Sequence, residues 1–267
     1  MNTPVQKFFY HGNKTAITQH AAALILAEAY RAVSHRGGFS MVLAGGNSPK
    51  PLYTMLAQGV STELLERLTL PLPDGRSKSG FDRRLRLPEK TWLFMGDERC
   101  VPLDHPDSNC RMIKETLLLH SALAEEHFVR MAGEQADTEQ AARDYENRLR
   151  SFFLTSDNPQ EFPRFDLILL GLGDDGHTAS LFPDNSDLLQ EDGRWVRSVD
   201  APAGKPPGKR LTLTLPVINH AKNIIFFTSG KHKSELAEKI FFEQENSVPA
   251  SLIKPVNGNL FWFTTQP

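Results

Sequence analysis

The chain has little cysteine: two residues, Cys100 and Cys110, among 267. No disulfide framework is expected from so few. It also lacks a long hydrophobic run, and no window approaches the ~18 apolar residues that a membrane-spanning helix needs. The N-terminus, MNTPVQKFFYHGNK, has no extended apolar core of the secretory type. Neither sign of charge is in excess. Thirty basic residues stand against 32 acidic ones, a formal net charge of −2, so neither nucleic acid nor an anionic membrane is indicated as a partner. Internal repeats and low-complexity tracts are absent. Asp174, Asp175, His177, His105 and Asp107 could supply metal ligands, but tight histidine spacing of the HExxH kind is absent, so the sequence does not signal a metal site. These absences lead to a soluble protein in a reducing, cytoplasmic setting, with a length suited to one large α/β domain spanning 1–267.

What is present is organised around FDLILLGLGDDGHTASLFP, residues 165–183. The apolar run Leu167 to Leu170 reads as a strand buried on both faces, ended by Gly171. The turn beyond it carries Asp174, Asp175 and His177, at the end of a buried strand where open α/β sheets keep their ligands. Upstream, Thr15 to Arg36 reads as an alanine-rich helix closed by Gly37 and Gly38. FSMVLAG is a buried strand, and Gly45, Gly46 and Asn47 turn the chain. Ser48 is then expected to cap a helix whose first residue is Pro49, which gives an anion site at a helix N-terminus. TWLFMGDERCVP reads as a strand ending in Asp97, Glu98 and Arg99. A helix follows from Ser108 or Asn109. Another spans Asp137 to Leu154, with Asp137 and Gln140 spaced as a capping box. Trp195 to Val199, Arg210 to Pro216 and Asn223 to Gly230 read as strands, and a helix starts after Gly230. SLIK and NLFWFTT flank an Asn-Gly turn and are expected to form a closing hairpin. Residues 71–90, rich in turn formers and basic charge, read as a surface insertion, either a solvated loop or a basic docking patch. Alternating strands and helices imply a three-layer α/β sandwich around a mainly parallel sheet.

Several chemistries can be weighed from the residues alone. Gly171-Leu-Gly173-Asp-Asp-Gly176 matches a dinucleotide fingerprint in its glycines, but adjacent carboxylates would repel a pyrophosphate. Ser48 is a poor nucleophile candidate, because the amide that would follow it in an oxyanion hole belongs to Pro49, which has no N–H. Cys100 follows Arg99, an arrangement that can activate a thiol, yet a buried structural cysteine is the plainer reading. His177 stands two residues from Asp175, a pairing that can fix the ring tautomer and suits a general base acting on water. Arg99, Arg210, Lys231 and Lys233 fall at strand or helix ends. Together with the helix starts at Ser48 and after Gly230, they suggest a phosphate pocket.

With these blocks in view, the chain resembles the 6-phosphogluconolactonase family. LAGGNSPKPLY, GDERCVPLDHPDSN, GLGDDGHTASLFP, RLTLTLPVINHA and TSGKHKSELA resemble that family's motifs, in its order, from Leu43 to about Ala237. Thr178-Ala179-Ser180 follows the histidine where related glucosamine-6-phosphate deaminases tend to carry Ile-Ala-Phe. Departures are Asn47 and Ser48 where Ser-Thr is usual, Cys110 where tyrosine is common, and the length of 71–90.

The resemblance implies a modified Rossmann-like fold, no metal or organic cofactor, and hydrolysis of 6-phospho-D-glucono-1,5-lactone in the pentose phosphate pathway. The implied partner is that small phosphosugar lactone, and the implied assembly a monomer or homodimer. His177, Asp175 and Asp97 become the expected catalytic residues. Gly45, Gly46, Asn47, Ser48, Arg99, Arg210 and Lys233 become the expected substrate and phosphate ligands. Two other readings stay open: a sugar-phosphate isomerase or deaminase with an acidic base such as Asp97, and a non-catalytic sugar-phosphate sensor.

Overall fold

A computed structural model describes residues 5–72, 84–154 and 161–265. In chain order the elements are β1 (Gln6–Gly12), α1 (Lys14–Arg36), β2 (Phe39–Leu43), α2 (Lys50–Gln58), β3 (Val60–Ser61), α3 (Thr62–Arg67) and β4 (Arg84–Leu85). They continue with β5 (Thr91–Met95), β6 (Asp97–Arg99), α4 (Asn109–Thr116), β7 (Phe128–Val129), α5 (Thr138–Phe153) and β8 (Leu167–Leu170). The last are α6 (Ser186–Leu189), β9 (Val196–Ala201), β10 (Gly208–Leu213), α7 (Leu215–Asn219), β11 (Asn223–Thr228), α8 (Lys231–Phe242) and β12 (Asn259–Thr265). Among the described residues, no helix is long and apolar enough to cross a membrane.

Seven strands pair in the order β1-β12-β11-β8-β2-β5-β7, and every pairing is parallel. Helices pack against this sheet, giving the three-layer α/β sandwich that the alternation of elements implies. From β2 the chain winds outward through β5 to β7. It then returns to lay β8 on the other side of β2 and winds outward the opposite way. The switch point therefore lies between β2 and β8, where a crevice opens at the C-terminal strand ends. The glycine turn after β2 and the His177 loop after β8 both start at this crevice. Strands β2, β8 and β11 are buried along their whole length, as strands covered on both faces must be.

Local chemistry explains most element boundaries. The Asn13 side chain accepts from Ala16 N at 2.9 Å and starts α1, and Gly37 ends it with φ 79°. Ser108 caps α4 through Arg111 N. Asp137 caps α5 through Gln140 N, but the Gln140 amide turns forward to Asp144, so only half of the capping box forms.

Four expectations need correction. Arg210 to Pro216 is not one strand: β10 runs Gly208–Leu213, and Pro216 lies in α7. NLFWFTT does not close a hairpin with SLIK. It is β12, inserted between β1 and β11, and residues 249–252 form a 3-10 turn. Aromatic stacking accompanies this placement: Phe8 lies on Phe261, Tyr10 on Phe263 and Phe226 on Trp262, all register partners. Thr91 to Pro102 is two strands in different sheets. Gly96 divides them, donating to Leu43 O and accepting from Leu213 N, so the chain passes from the main sheet to the antiparallel β6-β10-β9 sheet. Ser48 caps no helix. Pro49 is already helical at φ −80°, and Lys50 N closes a turn onto Asn47 O with Ser48 inside it.

Part of the expected insertion at 71–90 lies outside the described residues. Its C-terminal end is tied into the fold, because β4 pairs with β3 and Leu85 and Leu87 are buried.

Candidate active site

A cavity of about 420 Å³ opens at the switch point. Its wall includes all ten residues singled out in the sequence: Gly45, Gly46, Asn47, Ser48, Asp97, Arg99, Asp175, His177, Arg210 and Lys233. Lys231 is not among the lining residues, and its amine faces Glu235 along α8. His105 and Asp107 contact each other and likewise do not line the cavity. Among the described residues, no group of three or more His, Cys, Asp or Glu side chains is placed to hold a metal ion.

The His177 loop is shaped by its own glycines. Gly173 N donates to His177 O at 2.8 Å, and Gly176 N donates to Gly173 O at 3.1 Å. Within this turn, Asp175 Oδ1 accepts from His177 N at 3.1 Å and lies 2.5 Å from His177 Nδ1. A Cβ on Gly173 would overlap both the imidazole and that carboxylate. Glycine is required there because the dyad folds back over the turn. Burial pushes the Asp175 carboxyl up, but the backbone N–H and ring of His177 outweigh it and hold the group below the usual carboxylate range. Phe182 packs against the imidazole at a tilt, with ring centroids 4.5 Å apart. Nδ1 is thus engaged, and Nε2 is the ring nitrogen left for chemistry.

The cationic side of the cavity is built by β6 and β10. Their antiparallel register sets Arg99 directly opposite Arg210. Arg99 Nη1 donates to Asp107 O at 2.6 Å, and Arg210 Nη2 donates to Pro206 O at 2.6 Å. The Nε of each is buried without a hydrogen-bond partner among the described residues. Arg210 is only 4% exposed. Burial lowers its affinity for the proton, Asp97 counters this and Arg99 adds to it, yet a guanidinium stays charged. Two facing guanidiniums with spare donors are a repulsive arrangement unless an anion joins them. Lys233, from the first turn of α8, stands 4.0 Å from Asp174 at the same cavity.

Asp97 is 8% exposed. Its Oδ1 accepts from Asn109 Nδ2 at 3.2 Å and its Oδ2 from Ser180 Oγ at 2.8 Å. Asn109 also lies against Gly45, where a Cβ would overlap its amide. From below, Tyr53 Oη donates to Ala44 O at 2.7 Å and steadies the same turn.

The sequence reading missed Glu98, Asn109, Ser180, Phe182 and Lys205. Glu98 is 2% exposed and accepts from Arg99 N, Asn109 N, Cys110 N and Ser108 Oγ. Burial pushes its carboxyl up, against the pull of those backbone N–H groups. It ties β6 to the start of α4 and so braces Asp97, Arg99 and Asn109 together. The adjacent acids in GDER were the available signal, but which of them turns inward is decided by the fold. Lys205 lines the cavity from the β9–β10 loop, where sequence showed only a proline-glycine-rich connection. Cys100 is no activated thiol: burial, with Glu98 adding, pushes it up to about 11.

The family model described as glucosamine-6-phosphate isomerases/6-phosphogluconolactonase matches residues 12–262. The chain belongs to this family. The 6-phosphogluconolactonase of Synechocystis sp. is 38% identical over 256 residues, covering 95% of this chain and 93% of the relative. That of Rattus norvegicus is 36% identical over 248 residues, with 91% and 85% covered. Among solved structures, 6-phosphogluconolactonase from Trypanosoma brucei superposes with a TM-score of 0.76 at 26% identity, covering 98% of this chain and 97% of that one. A monomeric glucosamine-6-phosphate deaminase superposes with a TM-score of 0.69 at 19% identity over 98% of each chain, a likeness of fold alone.

Proposed function

We propose that this chain hydrolyses 6-phospho-D-glucono-1,5-lactone to 6-phospho-D-gluconate. One observation carries the reading: an imidazole–carboxylate dyad, His177 with Asp175, shares a cavity with two facing arginines whose buried Nε groups lack partners among the described residues. The first suits activation of water and the second suits a phosphate. The full-length relatives named as 6-phosphogluconolactonases agree with this pairing of tasks.

A lactone is an activated ester, so no covalent nucleophile is needed. His177 Nε2 takes a proton from water as the water oxygen bonds to the lactone carbonyl carbon. The carbonyl electron pair moves onto oxygen, where backbone amides of the Gly45-Gly46 turn stabilise it. On collapse the bond from that carbon to the ring oxygen breaks. The imidazolium returns its proton to the departing oxygen, so His177 ends the cycle neutral. Asp175 fixes the tautomer with Nε2 basic and offsets the transient positive charge. Arg99, Arg210 and Lys233, with Asn47 and Ser48, hold the phosphate away from the reacting carbon and lower the entropic cost of alignment. Asp97 meets either substrate hydroxyls or the attacking water.

The test is the rate of disappearance of freshly generated 6-phosphogluconolactone against its spontaneous background, with and without chelator. Acceleration that survives chelator is the expected result. Acceleration lost with chelator replaces this mechanism with a metal-assisted one. No acceleration by folded protein overturns the reading and directs the search to glucosamine 6-phosphate and then to binding without turnover.

A further inference from the structure

Ser180 is fully buried and joins the three segments that build the cavity. It belongs to the loop that carries His177. Its hydroxyl donates to Asp97 Oδ2 at 2.8 Å, on β6, and its N–H donates to Thr212 Oγ1 at 3.2 Å, on β10. Thr212 is in turn the register partner of Asp97. The loop is closed behind Ser180 by a bridge between Thr178 and Leu181 and by Thr178 Oγ1 donating to Gly171 O at 2.8 Å. On the other oxygen of Asp97, Asn109 Nδ2 is anchored through its backbone N–H, which donates to the buried Glu98 at 2.8 Å. Both donors to Asp97 therefore stand on segments that cannot swing away.

We propose that Ser180 and Asn109 fix Asp97 as a stationary acceptor for substrate hydroxyls, and that Asp97 takes no proton during turnover. Ser180 is then a positioning residue acting through Asp97. This deepens the lactonase reading and rests on it. A carboxylate offers about four acceptor sites on two oxygens. One site on each oxygen is occupied, which aims the remaining lone pairs at the cavity that Asp97 lines. Protonating Asp97 would turn two charge-assisted hydrogen bonds into weaker neutral ones in a buried place. His177 is differently placed, in a partly exposed turn with one ring nitrogen uncommitted. Two titratable groups in such unlike surroundings divide the work, one moving protons and one holding the substrate. Charged and titratable groups that act on Asp97 include Arg210 from β10, Glu98 from its own strand and Tyr53 from α2, and Arg99, His177, Lys205 and Lys233 share its cavity.

The experiment is a pH profile of kcat and KM for the wild type, Asp97→Asn, Ser180→Ala and Ser180→Thr. Asp97→Asn keeps the shape, and the Ser180 hydroxyl can turn to accept from the new amide. The proposal expects KM to rise about tenfold or more in Asp97→Asn and Ser180→Ala, as for loss of a hydrogen bond to a charged group. The fall in kcat should be smaller than that, and the acid limb of the profile should stay where it is in the wild type. Ser180→Thr keeps the hydroxyl and should recover most of the lost affinity. The inference is overturned if Asp97→Asn removes the acid limb, or drops kcat by ~10²–10⁴-fold as loss of a general base would. It is also overturned if folded Ser180→Ala matches the wild type throughout. Should Ser180→Ala not fold, Asp97→Asn and Ser180→Thr still decide. A wild type that does not accelerate lactone loss defeats the lactonase reading itself, which separates the two failures.

Discussion

Arg99 and Arg210 face each other across the β6–β10 pairing, each with a buried Nε that no group among the described residues accepts. One outer nitrogen of each is committed, Arg99 Nη1 to Asp107 O and Arg210 Nη2 to Pro206 O, which tethers both side chains at the cavity. A fold that holds two like charges together at a cavity wall spends stability there, and phosphate binding returns it.

Arg99→Lys tests this cradle. A lysine lacks the planar fork, so its single nitrogen would have to serve both Asp107 O and the phosphate from one point. The KM for the phosphorylated lactone should rise about 10–100-fold, the loss of a charged hydrogen bond. Unphosphorylated glucono-1,5-lactone should be affected far less. Parallel steady-state kinetics on the two lactones read the difference.

Gly173→Ala tests the packing of the dyad on its own turn. The added methyl overlaps both His177 and Asp175, so the ring must shift. A displacement of about 1 Å costs on the order of 10²-fold in rate. The rest of the loop is held by Thr178 and Ser180, so the fold should persist. Single-turnover rates together with circular dichroism would check both halves of this expectation.

Outside the cavity wall, Asp166 is expected to contribute to acid stability. Its carboxylate accepts from Arg36, Lys222, and the N–H and hydroxyl of Ser40. Burial pushes its carboxyl up, but Lys222, Ser40 and Arg36 prevail and hold it below the usual carboxylate range. A carboxyl lowered in the folded state adds stability above its unfolded value of ~3.9 and loses it as pH falls through the folded value. Asp166→Asn should cost about 1–3 kcal/mol at neutral pH. The gap from wild type should close as the medium becomes more acidic than the folded carboxyl. Urea titrations at several pH values measure it.

Much of this site was legible in the residues, for physical reasons that can be named. Leu167 to Leu170 is too apolar to face water on either side, so a polar turn after it had to open at a strand end. Arg99 and Lys233 could be placed at element ends because glycine, proline and charge mark those ends, whereas Arg210 lies inside β10, which starts two residues earlier than expected. Ser48 was misplaced because a good cap followed by proline is a local signal, while the real turn is closed by Asn47 one residue earlier. β12 was misread because an Asn-Gly turn between two apolar stretches favours a hairpin locally, whereas pairing with β1 and β11 is decided by long-range contacts. Glu98 and Ser180 stood in motifs that could be read, but nothing in the sequence marked their own roles. Their importance comes from partners 10 or more positions away, such as Ser108 for Glu98 and Asp97 for Ser180, which only the folded chain brings near.

The central claim is that His177 moves the protons. The direct measurement is lactone turnover by His177→Ala beside the wild type, with freshly generated 6-phosphogluconolactone and with binding of inorganic phosphate as a check that the cradle survives. The account predicts a fall in kcat of ~10²–10⁴-fold with phosphate binding retained. Wild-type turnover by the folded variant would contradict it.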